Sequence, residues 1–162
     1  MTIRDEITDD EIHELINLRK FISENIWRNL RFKEINGFKR WTVKVNTELV
    51  HENKFQIFMR SSIDDPDDFS IGLRCDFKDG STINLMRCNG NHGIHRNKIE
   101  NITLTGRHIH IATERYIRKG LDAEGFAVEA ENEYNNFESA FNCLTRKCNI
   151  ILVGLDLFNI VN

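Results

Sequence analysis

Four of the six histidines of this chain fall within 19 positions, from His92 to His110, and Cys88 lies just ahead of them. His108 and His110 sit two apart in Arg107-His108-Ile109-His110-Ile111. Residues two apart in a strand project from one face, so this pair presents two imidazoles side by side while Ile109 and Ile111 pack behind. His92 and His95 belong to Cys88-Asn89-Gly90-Asn91-His92-Gly93-Ile94-His95-Arg96-Asn97, read as a polar loop whose glycines let it curl and aim both rings at one point. Cys88 closes the preceding strand and adds a thiolate. Three or four nitrogen and sulfur ligands in a tetrahedral array is the pattern of zinc, the expected cofactor; copper, nickel and iron are alternatives that imidazole also suits. The candidate ligands are His92, His95, His108, His110 and Cys88, and the spacing leaves open which of them bind. Glu114 and Asn97 are expected to accept from the distal ring nitrogens. Cys75 reads as a core residue, and Cys143 and Cys148 as residues that pack a helix.

The same residues allow chemistry in three ways. A zinc with an open position would make hydroxide, a metal-free histidine pair could act as base and acid on RNA, and Arg96 and Arg107 could hold a phosphate. No phosphate loop, nucleophile elbow, HExxH helix, dinucleotide fingerprint or deaminase signature accompanies them. The expectation is therefore a binding protein in which the metal fastens structure, with a metal-dependent hydrolase or ribonuclease, toxin-like, as the alternative.

The elements that must position these residues can be read from periodicity. Thr8-Asp9-Asp10-Glu11 is a capping box, with Ile7 and Ile12 spaced as a hydrophobic staple. Ile12, Leu15, Ile16, Ile22, Ile26 and Leu30 follow at near-helical spacing, predicting one amphipathic helix that ends before Gly37. From Trp41 the period becomes two, through Val43 and Val45, then Phe55, Ile57 and Met59, then Phe69 to Phe77, with a two-residue turn at Asp79-Gly80 and a return through Ile83 and Leu85. Ile102 and Leu104 are read as a strand that turns at Thr105-Gly106 into His108–Ile111, a second hairpin beside the first. A short helix is expected near Glu114, stopped at Gly120 or Gly125. A last helix is capped by Asn135 or Asn136 and carries Phe137, Ala140, Phe141 and Leu144 on one face. Ile150 to Val153 reads as a buried strand or a helix tail. The fold class is α+β: an antiparallel meander of about five to seven strands with an N-terminal amphipathic helix and a C-terminal helix on one face.

At 162 residues, 40% hydrophobic and 29% charged, with a single proline, the chain is expected to form one soluble domain, 1–162. A formal net charge of -3 argues against non-specific binding of nucleic acid, so such a partner would have to be met by a local patch. Asp5, Glu6, Asp9, Asp10, Glu11 and Glu14 crowd the first 14 positions and suit a basic partner. The N-terminus is charged where a signal peptide would need an apolar core, which predicts a cytoplasmic protein with reduced thiols.

Through Asn89-Gly90-Asn91-His92 to His95-Arg96-Asn97, and Gly106-Arg107-His108-Ile109-His110 to Thr113-Glu114-Arg115-Tyr116, residues 70 to 150 resemble a family of small uncharacterised proteins of Gram-positive bacteria, their phages and mobile elements. The acidic first helix lies outside that resemblance. It implies a mobile-element protein in the bacterial cytoplasm and no established activity. By type rather than motif, the size, acidity and expected metal resemble phage anti-CRISPR proteins. That likeness implies an inhibitor of host defence whose acidic surface meets a basic nucleic-acid-handling effector, such as a type II CRISPR nuclease.

Overall fold

The computed structural model describes residues 1–153. After a single helical turn, α1 (Ile3–Glu6), the chain enters α2 (Asp9–Asn17) through the capping box. The Glu11 carboxylate accepts from the Thr8 amide at 2.8 Å, the Thr8 hydroxyl accepts from the Glu11 amide at 3.3 Å, and the staple residues Ile7 and Ile12 are both buried.

The single long helix expected through Leu30 does not form. The chain leaves α2 at Asn17, runs as β1 (Lys20–Ile22), and starts again as α3 (Glu24–Arg28) under a Ser23 cap. Ile22 enters the core from a strand because β1 finds two partners, β3 (Phe38–Thr47) antiparallel and β11 (Ile150–Leu152) parallel. Pairing with residues 130 positions away outweighs a local helical period. β2 (Lys33–Ile35) then reverses into β3 about Asn36 and Gly37, both at positive φ as a primed two-residue turn requires.

The meander follows as expected through β3, β4 (Lys54–Ser62), β5 (Phe69–Asp76) and β6 (Thr82–Asn89). What comes next departs from the expected hairpin. β7 (Ile94–Asn97), read as loop from sequence, pairs with β8 (Ile102–Thr105) in a two-stranded sheet of its own. β9 (His108–Ile111) returns to the free edge of β6, and β10 (Phe126–Glu129) adds outside it. Gly106, at φ 81, sits where the chain passes from one sheet to the other. α4 (Glu114–Arg118) stops before Gly120, and α5 (Phe137–Lys147) starts at the Asn136 cap.

Among the described residues the main sheet thus has nine strands, more than the expected five to seven, in the order β10-β9-β6-β5-β4-β3-β1-β11 with β2 beside β3. The α+β class stands. Its core lies on one side: Val43, Ile57, Leu73, Cys88 and Ile109 of the sheet share a cluster with Ile12, Leu15 and Ile16 of α2 and Phe141 and Leu144 of α5. The alternate residues of the same strands form a second, polar face. No described helix is long and apolar enough to cross a membrane.

Candidate metal centre

Register decides which sequence neighbours can meet. β6 and β9 pair Arg87 with His110, Cys88 with Ile109, and Asn89 with His108. Directly opposed residues share a face. His108 and His110 therefore stand on the polar face, whereas Cys88 points with Ile109 into the core beneath α5. There its thiol is pushed up, first by the hydrogen bond it donates to Cys143 and then by burial, and the Cys143 thiol is held down by the same bond. The structure separates Cys88 from the imidazoles, because a one-residue step along a strand changes face.

β7 lays His95 over the pair on β9. The His95 ring lies 4.5 Å from His110 and 5.4 Å from His108, centroid to centroid, and His108 lies 4.9 Å from His110. One ring nitrogen from each of the three falls within 4.8 Å of the others. His92 is exposed and stands 5.8 Å from the His108 ring, outside that triad.

Each of the three rings has one nitrogen held by a backbone carbonyl. His108 Nδ1 donates to Gly106 O at 2.8 Å, His110 Nδ1 to Glu124 O at 2.8 Å, and His95 Nε2 to Gly125 O at 2.9 Å. A carbonyl only accepts, so the proton is assigned to those nitrogens and the opposite lone pair of each ring is left free. Among the described residues only His108 has a hydrogen-bonding neighbour there, the Asn89 amide at 3.4 Å. Burial, and secondarily the Arg87 charge, pushes His110 down to about 3, and burial likewise lowers His108. Both rings are thus neutral bases at neutral pH. Zinc held at about 2.1 Å by tetrahedral ligands needs their nitrogens about 3.4 Å apart, closer than the 4.8 Å within which the triad lies, so the rings would draw together to share one ion. The donor set fits zinc.

Of the expected acceptors, Asn97 is in place: its Oδ1 lies 3.1 Å from His95 Nε2, and its side chain accepts from Ala127 N at 2.9 Å and donates to Ala127 O at 2.8 Å. Glu114 is not. Its carboxylate accepts from the Asp9 amide and pairs with Arg118. Arg96 is engaged by Asn101, and Arg107 pairs with Glu131 at 2.6 Å. The residues that sequence reasoning missed are Arg87, paired with Glu124 at 3.2 Å beside His110, and Tyr134. The Tyr134 hydroxyl shares its proton between the carbonyls of Asn89 and His108, at 2.8 and 2.9 Å.

Fold and cluster together define a small α+β protein in which three buried or half-buried histidines join a two-stranded sheet to the polar face of a larger one. Over residues 7–150 the chain matches the Family of unknown function (DUF6978), and it belongs to that family. The match begins at Ile7 and so takes in α2, which the resemblance over residues 70 to 150 left out. No curated protein matches the chain, and no solved structure does.

Proposed function

We propose that this is a metal-binding, non-enzymatic binding protein in which His95, His108 and His110 hold one zinc ion as a clasp. The observation that carries the reading is the origin of the ligands. His95 belongs to the β7–β8 sheet and His108 and His110 to the main sheet, so one ion would tie two sheets that share no strand. A clasp suits the depth of the site, where His108 is 1% and His110 4% exposed, and a buried apo cluster of free lone pairs is costly without a partner.

Elemental analysis of purified protein should return one equivalent of zinc, and His108→Ala and His95→Ala should lose it together with thermal stability. Unchanged metal content in both variants, or none in the parent after growth with zinc, would sink the clasp. A hydrolase is the second reading, favoured by one observation: three protein ligands leave a fourth position, and the exposed His92 stands 5.8 Å from the His108 ring. Metal-dependent cleavage of RNA that His92→Ala abolishes, with zinc content retained, would replace the clasp by a reaction centre. The partner we propose is a basic nucleic-acid-handling protein such as a type II CRISPR nuclease, supported by the exposure of Asp5, Glu6, Asp9, Asp10, Glu11 and Glu14 on α1, α2 and their flanks. Pull-down against several such effectors tests this part separately, and failure with all of them removes it.

A further inference from the structure

We propose that the polar face of the main sheet, the side away from α2 and α5, is a binding surface for single-stranded nucleic acid. Register builds that face. Lys44 lies opposite Gln56, which lies opposite Arg74; Arg40 lies opposite Arg60; and Phe58 lies opposite Gly72, which lies opposite Arg87. With Lys54, opposite Asp76, six cations and one central aromatic ring therefore share a single surface across β3 to β6, in a chain whose net charge is -3.

Three of the six have a carboxylate: Arg60 with Asp68 at 3.0 Å, Arg74 with Asp76 at 2.7 Å and Arg87 with Glu124 at 3.2 Å. Six cations less three carboxylates leave the face at +3. Arg40 and Lys44 are exposed and pair with no carboxylate among the described residues. Arg40 and Arg60 are directly opposed like charges, an arrangement that repels across a strand pair, and both guanidiniums gather over the Phe38 ring at 5.9 and 4.3 Å. A phosphate between them would relieve that repulsion. An arginine already in one ion pair keeps further N–H donors for it.

The aromatic centre points to a single strand in particular. A Cβ at position 72 would come within 2.2 Å of the Phe58 ring, so glycine is what allows that ring to lie down on the sheet with its other side half open. A flat ring flanked by guanidiniums is a platform on which an unpaired base stacks while its phosphates reach the cations. A duplex, whose base faces are already stacked, could not use it. At one end of the platform stands the loop carrying the exposed His92, which lies in the field of Arg60, Asp68 and Arg87. The surface itself uses no metal ligand, so this inference stands apart from the clasp.

The test is fluorescence anisotropy of the purified full chain with labelled oligouridylate and oligodeoxythymidylate of about 12 nucleotides, in salt from about 50 to about 200 mM. Either polymer should bind, with affinity falling as salt rises. The double change Arg40→Gln with Lys44→Gln removes two exposed cations without touching the core. It should weaken binding about tenfold or more and lower the salt slope by about 1.4, the share of two phosphate contacts. Phe58→Leu should weaken binding about fivefold or more at both salts, with melting followed by circular dichroism to confirm that the variant folds. No binding of either polymer at low salt would overturn the proposal. So would an unchanged affinity in the Arg40 and Lys44 double variant, or equal binding of a polyglutamate peptide, which would mark the face as a surface for an acidic protein.

Discussion

At the scale of single residues, the cluster shows how much a one-position step decides. Cys88 and Asn89 are neighbours in sequence, yet one lies against α5 and the other beside the His108 ring. Cys88→Ala should therefore leave zinc content at the parental level while costing about 1 to 2 kcal/mol of stability as a small buried cavity. Urea denaturation beside metal analysis separates the two effects, and loss of metal in this variant would return Cys88 to the ligand set. The ring acceptors make a related point. Asn97 was legible as one because a side-chain amide leaves a letter in the sequence, whereas the carbonyls of Gly106, Glu124 and Gly125 belong to the backbone and leave none.

At the scale of elements, the β7–β8 sheet is the piece whose attachment matters. Beside the imidazoles, Asn97 fastens it, bonded to both the amide and the carbonyl of Ala127 in β10 and 2% exposed. Asn97→Ala leaves both of those buried backbone groups unpaired, for a loss of about 2 to 4 kcal/mol. Amide exchange should quicken across residues 94 to 105 while β3 to β6 keep their protection, and zinc affinity should fall because His95 is no longer held over β9. Uniform quickening over the whole sheet would mean that the two sheets unfold as one unit. The strands of the meander were legible because half-buried strands alternate. β7 was not, since Ile94 is 76% exposed and its neighbours His95, Arg96 and Asn97 are polar.

At the scale of the whole molecule, the two ends of the described chain meet at Lys20. Its ammonium is fully buried and donates to the carbonyls of Ile16, Leu18 and Cys148 at 2.9, 2.8 and 3.0 Å, closing the C-terminal ends of α2 and α5 with one side chain. Lys20→Met should cost about 2 kcal/mol near neutral pH by leaving those acceptors unpaired. Burial pulls the Lys20 pKa down from 10.5 to about 8. Below pH 8 both folded and unfolded chains carry that proton. Between 8 and 10.5 the unfolded chain holds it and the folded chain releases it, so this residue's contribution to stability rises with pH through that window. Melting temperatures of the parent and Lys20→Met should accordingly diverge as pH is raised from 8 toward 10.5, and parallel curves would show that the ammonium is not depressed by burial.

From sequence alone came what depends on near neighbours along the chain: the cap at Thr8, a cap at Asn135 or Asn136, the staple of Ile7 and Ile12, the alternation of β3 to β6, and the pairing of His108 and His110 on one side of a strand. These are consequences of bond geometry and side-chain period, which act over a few residues. Tertiary structure decided the rest. It broke the expected long helix, since strand pairing with Thr47 and Ile150 drew Lys20 to Ile22 into the sheet, at a six-residue gap between Ile16 and Ile22 that no helical period fills. It sent β9 to β6 instead of β8, brought His95 over His108 and His110, and turned Cys88 away. Each of those outcomes depends on which distant edge offered unpaired backbone groups and a face to bury, and no local spacing records that.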